Sequence, residues 1–470
     1  MMSVIQEKYN HLNICALKIT KMKYFNEIYA AVLALVTVMG WALNSVVGMI
    51  VMMLIAAIAL ILTKDLKYVI PQCIYFIFIF SEGFASDSFP IPIIVIASIF
   101  AIIILFFSFR GGIQLKKMKS LIGLAGLAFT TIIPIIWCKV PKGNEVFYFL
   151  FFANLGYLLL YIIMTNGIKE NGMDLLAVSM SFLTIILACE CALKVYELKD
   201  TVNNILDLWY FLGWGFCNEA GIMICVAIPF VFYILGKQEK LTGMIYQNSK
   251  IIIGIIGILL TTSRGSYIFG LLEIVVLYVA LMFISKRARL YQNAFLVYAL
   301  TIIILILCMK PIITRELEKI MELVFKNGLD DNGRKEVWEA AVRLWRGNTV
   351  HTIFGPGIVC AIGEQETAFG VQVGPIVFHS TFFETLINGG VIGAGFLLVH
   401  FIQKYWNLKR YDTYLLAVLG TGYLFVDLYG MIDNTYHMYY YMLPLMVIMG
   451  TIDAGIFAKK ELSSLDNKTL

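Results

Sequence analysis

Apolar residues recur along this chain in blocks long enough to cross a bilayer, each closed off by a short polar stretch. A hydrocarbon layer of roughly 30 Å takes about 20 apolar residues to span as a helix. Blocks of that order fall at 27–44, 46–63, 67–84, 90–109, 118–138, 146–166, 173–194, 209–235, 249–262, 266–285, 292–313, 380–403, 412–430 and 439–457. The pattern predicts an all-α fold, a polytopic transmembrane helix bundle of about 12 to 14 spans.

The rhythm breaks once. Residues 314–374 hold sixteen of the chain's 67 charged residues in sixty-one positions. Within them RELEKIMELVF (315–325) places Leu317, Ile320, Met321 and Val324 on one helical face. After the turn NGLDDNG (327–333), RKEVWEAAVRLWR (334–346) does the same with Trp338, Ala341, Val342 and Trp345. This predicts a large extracytoplasmic loop domain between the eleventh and twelfth spans, whose amphipathic helices lie apolar face down on the membrane surface. Capping of the bundle is the alternative. The expected division is a cytoplasmic segment 1–26, a bundle 27–313, the loop domain 314–379, C-terminal spans 380–457 and a cytoplasmic tail 458–470.

Composition agrees: 60% of residues are hydrophobic, 14% are charged and the mean hydropathy is +0.83, more apolar surface than one soluble core would bury. The net charge of +5 is mostly a topology signal. Arg110, Lys116, Lys117 and Lys119, then Lys237, Lys240 and Lys250, then Lys286, Arg287 and Arg289, then Lys404, Lys409 and Arg410, and finally Lys459 and Lys460 all follow even-numbered blocks. Both termini are therefore expected in the cytoplasm, although Lys139 and Lys142 break the pattern. No nucleic-acid partner is implied. Lysines precede the first block without a convincing cleavage site, so an uncleaved start is expected. Nine scattered cysteines without a Cys-x-x-Cys pair suggest neither a zinc site nor any other metal.

Candidate chemistry collects on the expected outer side. TTSRGSY (261–267) holds Arg264 at the membrane surface, GRKEVW (333–338) opens a helix with Arg334, and FHSTFFETLINGGVIG (378–393) carries His379 where the chain re-enters apolar sequence. WGFCNEAG (214–221) sets Asn218 and Glu219 among apolar neighbours, costly for a carboxylate unless it is paired or functional. Two guanidiniums on one side make a plausible fork for a diphosphate, although an interfacial arginine also snorkels harmlessly. Elsewhere, Glu190 and Lys194 are spaced to pair along one helix. His11, His351 and His400 lack a motif, and His437, among tyrosines in DNTYHMYYYM (433–442), belongs with an aromatic interfacial belt. No Walker loop, His-Glu-x-x-His or Asp-x-Asp occurs. A transporter or flippase of an anionic or lipid-linked solute is the rival class, yet the candidate groups do not run across the whole membrane.

These residues resemble the bacterial O-antigen ligase and O-antigen (or capsular polysaccharide) polymerase superfamily over roughly 205–400. The ligase pattern of His, then Asn, Ser or Gln, nine residues, Gly, two residues and Gly, Thr or Tyr is met by His379, Ser380, Gly390 and Gly393. Ser263, Arg264 and Gly265 match the family's Ser-Arg-Gly at a span start, and Gly333, Arg334 and Trp338 its Gly-Arg-x-x-x-Trp loop element. GFCNEAG resembles its Asn-containing span.

The resemblance implies glycosyl transfer at the outer face of the bacterial cytoplasmic (inner) membrane, from a glycan on undecaprenyl diphosphate to a glycan acceptor. His379 would act as the base or position the acceptor, and Arg264 and Arg334 would hold the diphosphate; no cofactor or metal is called for, and inversion is expected. Other polysaccharide-assembly membrane proteins are expected partners beside the lipid bilayer. Gly389 and Gly393 form a small-xxx-small pair, with Gly390 beside them, letting a neighbouring helix fix the one that carries His379. A polymerase is preferred to a ligase because the span number and loop size exceed the leaner plan of about twelve spans that the resemblance suggests for ligases.

If the arginines act as forks, Arg264→Lys and Arg334→Lys keep the charge but lose the paired N–H donors, so each should lower turnover at least about tenfold. Parental turnover in both lysine variants would leave only a diffuse positive field.

Overall fold

The computed structural model describes residues 24–82, 104–106, 108, 112–137, 143–201, 208–284, 300, 303, 314, 334–357, 378–436 and 438–466. These form an all-helical bundle: α1 Phe25–Ala42, α2 Val46–Thr63, a broken α3 over Leu66–Ile79, α4 Leu121–Ile136, α5 Gly143–Gly167, α6 Met173–Leu198, α7 Cys217–Leu235, α8 Leu241–Leu260, α9 Arg264–Ile284, α10 Arg334–Trp345, α11 Thr349–Phe354, α12 Thr381–Tyr411, α13 Thr413–Gly430 and α14 Tyr439–Asp466. Among the described residues nine helices are long and apolar enough to cross a membrane, and three further apolar segments are shorter. The expected spans at 90–109 and 292–313, the first loop helix at 315–325 and His437 lie outside the described residues.

α6 and α7 form the centre, 83% and 89% buried over their apolar windows, whereas α2 at 28% is peripheral. Around the outside, Leu35, Val47, Ile122, Phe283, Leu398 and Ile402 point their apolar side chains away from the protein. An apolar surface of that extent needs lipid against it.

The helix ends segregate into two sets, as the alternation of spans requires. On one face Ser81 donates to Asn44 at 2.6 Å, Lys194 pairs with Glu82 at 3.0 Å, and the Trp41 indole donates to the Leu212 carbonyl at 2.8 Å. On the other, the Asp65 carboxylate accepts the amides of Lys67, Lys169 and Glu170 at 3.0, 3.1 and 3.3 Å, and Lys237 pairs with Asp174 at 3.1 Å. Burial pushes the Asp65 carboxyl above its ordinary value, and the amides of Lys67 and Lys169 oppose that. The first set is the one the charge pattern assigns to the outside.

Four local expectations change. The block at 209–235 is helical only from Cys217; residues 208–216 fold as a tight hairpin, with Leu212 N–H bonded to Gly215 O at 2.7 Å and Cys217 N–H to Tyr210 O at 3.0 Å. Gly213, at φ +94°, lies so close to the Ser81 backbone that a Cβ would sit 2.2 Å from it. Glu190 does not pair with Lys194: it accepts from the buried Trp214 indole at 2.8 Å, and Lys194 turns to Glu82 and Glu197. Lys250 and Lys404 are not loop cations. Both are buried inside helices, Lys250 against Glu27 at 3.3 Å and Ser181 at 2.9 Å. Finally, α10 packs Ala341 against Phe378 and Ile387, a contact with the bundle of the kind the capping alternative expects.

Lys404 on α12 donates to both Asp427 oxygens at 2.7 Å and to Tyr436 at 3.0 Å, while Tyr405 donates to Asp427 at 2.8 Å. Breaking such a pair leaves an uncompensated buried charge, which costs about 3–5 kcal/mol. Lys404→Met should therefore lower the thermal unfolding temperature in detergent sharply, and the double change Lys404→Met with Asp427→Leu should recover most of the loss. An unaltered unfolding temperature in the single variant would mean the pair contributes little.

Candidate active site

α12 begins abruptly because the residues before it are held in unusual geometry. Ser380 is extended, and His379 adopts the left-handed region at φ +47°, which costs a non-glycine residue about 1–2 kcal/mol. Side chains from other positions hold the turn. Glu384 accepts the Phe378 amide at 2.9 Å, the Trp338 indole of α10 donates to the Phe378 carbonyl at 2.8 Å, and the Trp338 and Phe383 rings stack at 5.5 Å. The result is a half-exposed imidazole whose Nδ1 lies 3.4 Å from Asp433 Oδ1, long for a hydrogen bond but correctly paired.

Asp433 follows α13 and is itself buried, with its Oδ1 accepting the Asn434 amide at 2.8 Å. A carboxylate on Nδ1–H fixes the tautomer that leaves Nε2 free to accept a proton. Glu219, in the first turn of α7, accepts the Phe216 amide and is within electrostatic range of both His379 and Asp433. Asn218 beside it is half-buried.

The Ser-Arg-Gly segment reaches the same rim through Tyr429. Ser263 and Ser266 hydroxyls bond the Tyr429 hydroxyl at 2.9 and 3.0 Å, and Gly265 lies against its ring, where a Cβ would approach to 2.5 Å. The Tyr429 carbonyl in turn accepts the Asp433 amide at 3.0 Å. Arg264, at the start of α9, is exposed; Arg334, at the start of α10, is half-buried one turn ahead of Trp338 on the same face. His379, Asp433 and Glu219 thus form one group, while Arg264 and Arg334 stand on two separate elements linked to it through neighbouring residues, Ser263 through Tyr429 and Trp338 through Phe378. The positive ends of α7, α9 and α12 share this side.

The glycines divide by role. Gly389 and Gly393 both face Thr130 of α4, where a Cβ would lie 2.8 and 3.5 Å from that side chain, the close helix approach expected of the pair. Gly390 does something else: at φ +60° it breaks α12, and the loop after α11 fills the break, with Gly355 against it and Gly357 N–H bonded to Ile387 O at 2.8 Å. Sequence reading missed Asp433, Asn434, Glu384 and Tyr429. Asp433 and Asn434 stand in the same DNTYHMYYYM stretch as His437, but nothing in its spacing ties Asp433 to His379 fifty-four residues earlier.

A family model described as O-antigen ligase matches residues 251–398. Over those residues the chain is similar to the O-antigen ligase family. The match supports the O-antigen ligase/polymerase superfamily and a glycosyltransferase-like activity. It takes in Arg264, Arg334, Trp338, His379 and Glu384, whereas Glu219, Asp433 and Asn434 come from outside it. No curated protein matches the chain.

A left-handed backbone at His379 predicts an inverted order of tolerance. His379→Gly should be at least as stable as His379→Ala, although in ordinary helix and strand positions glycine is the poorer residue by about 0.5–1 kcal/mol. Thermal unfolding of the two variants in detergent checks this, and a clearly more stable alanine variant would show that the turn is not kept.

Proposed function

We propose that the O-antigen ligase-like region and its flanking helices catalyse glycosyl transfer from an undecaprenyl-diphosphate-linked oligosaccharide to a glycan acceptor, at the outer face of the bacterial cytoplasmic membrane. The observation that carries this is the His379–Asp433 pair, 3.4 Å apart, on the rim to which the Arg264 segment is tied through Tyr429. A lipid-anchored donor and a hydrophilic acceptor meet only at such a boundary.

In the reaction an acceptor hydroxyl attacks the anomeric carbon of the donor. His379 Nε2 removes the hydroxyl proton as the new glycosidic bond forms, and Asp433 stabilises the imidazolium. The bond between that carbon and the diphosphate oxygen breaks, with its electron pair leaving on the diphosphate. Arg264 and Arg334 neutralise the charge that gathers there, a task arginine forks suit as planar, permanently charged donors. A single displacement inverts the anomeric centre, and the scheme needs neither metal nor cofactor.

The preferred reading is a polymerase that adds lipid-linked repeat units to one another in O-antigen, capsular or exopolysaccharide assembly, alongside other envelope proteins of that process. The description of the matching family favours a second reading, ligation of the finished glycan to a lipid A core or other acceptor. Both use the same donor and the same base. Residues 314–379 are proposed as the extracytoplasmic domain, and both termini as cytoplasmic.

The purified protein in liposomes, given only lipid-linked repeat units, should produce a ladder of glycans in single-unit steps, and His379→Ala should reduce the rate at least about 100-fold at normal membrane abundance. Transfer that begins only when a lipid A core acceptor is added would replace polymerase by ligase. Movement of labelled donor across the bilayer without transfer would replace both by a carrier, and chelator-sensitive transfer would overturn the metal-free scheme.

A further inference from the structure

We infer that Glu384 is the positioning residue of this site, fixing the distance between His379 and Asp433 by holding the backbone beside each of them. The inference rests on the reading of His379 as the base. One oxygen of Glu384, Oε1, accepts both the Phe378 amide and the Asn434 side-chain amide, each at 2.9 Å. Phe378 immediately precedes His379, and Asn434 immediately follows Asp433. A single carboxylate oxygen therefore ties the two segments whose side chains pair, on the side of the pair away from solvent, for Glu384 is 1% exposed and Asn434 2%.

Neither helix nor interhelix packing requires this. The first turn of α12 is already closed by the Glu384 amide on the Ser380 carbonyl at 2.9 Å, and α12 is already joined to the segment after α13 by the Thr381 and Thr435 hydroxyls at 3.0 Å. What Oε1 adds is specific to the turn. With the Phe378 carbonyl held by Trp338 and the Phe378 amide held by Glu384, the residue entering the turn is fixed at both of its backbone polar atoms, which helps sustain the left-handed φ at His379. The 3.4 Å separation of imidazole and carboxylate leaves little margin, because a hydrogen bond weakens quickly beyond that length.

The test uses the full-length protein and two substitutions. Glu384→Leu keeps the bulk and loses the accepting oxygen; Glu384→Gln keeps the oxygen. Glu384→Leu should lower kcat at least about tenfold with KM for the lipid-linked donor within about twofold, and Glu384→Gln should return kcat to within about threefold of the parent. Independently of activity, carbethoxylation of His379 by diethyl pyrocarbonate, measured by peptide mass spectrometry relative to His351, should slow at least about threefold in the leucine variant and stay parental in the glutamine variant, because Asp433 no longer holds the tautomer that presents Nε2. Parental kcat and labelling in Glu384→Leu, or a glutamine variant as impaired as the leucine one, would overturn the inference. Should Glu384→Leu fail to assemble, Asn434→Leu cuts the same carboxylate from the other flank and is held to the same two readouts. An active His379→Ala protein would overturn the base reading alone, since the labelling ratio still decides whether Glu384 positions the imidazole.

Discussion

Hydrocarbon offers no hydrogen-bond partner, so a bundle in a membrane can interrupt a helix only where another part of the same chain satisfies the freed backbone. The interruptions here follow that constraint. The break at Gly390 receives the Gly357 amide on the Ile387 carbonyl, and the Trp137 indole holds the Gly355 carbonyl at 3.2 Å. The hairpin ahead of α7 gives its Leu212 carbonyl to Trp41, and at the turn before His379 both backbone polar atoms of Phe378 are engaged by side chains. All three interruptions lie on the face carrying His379. Irregular backbone, and with it chemical versatility, is concentrated where partners from several helices converge.

The same economy separates charges that hold the bundle from charges available for chemistry. Lys404 with Asp427, Lys250 with Glu27 and Glu190 with Trp214 are closed pairings inside the helices. Asp453 likewise gathers the Ser120 amide, the Tyr161 hydroxyl and Asn407 at 2.9, 2.6 and 3.1 Å. Such pairs spend their polarity on each other, which is the condition for burying them at all. Arg264 and His379 differ in staying open to the surface while their backbones are fixed from beneath, one by Tyr429 and the other by Glu384 and Trp338. Rigid support under an accessible functional group is what catalysis by positioning demands.

The position of Gly390 illustrates how a motif and its cause differ. Its spacing from His379 is visible in one dimension, and packing between helices is the obvious reason for a glycine there. The fold uses Gly389 and Gly393 for that purpose and Gly390 to admit the loop that follows α11. A side chain at Gly390 would meet the Ile353 carbonyl at 2.5 Å. The loop and the histidine helix are thereby locked in one register, which also delivers Trp338 to the Phe378 carbonyl.

The sequence by itself determined the solvent, the helical class and most of the span positions, because twenty apolar residues in a row admit few other fates, and each such block is read locally. It also drew out Arg264 and His379 as candidates, since polar groups at the ends of apolar runs stand out against their surroundings, and Arg334 through its Gly-Arg-x-x-x-Trp spacing. Only the tertiary structure decided which carboxylate meets His379, that Glu384 reaches back to Phe378 while Asn434 reaches it from another segment, that α10 packs Ala341 against Phe378 and Ile387, and that Lys404 and Lys250 are buried counter-ions. These depend on contacts between residues far apart in the chain, and a carboxylate's local sequence carries no record of the partner that packing brings to it.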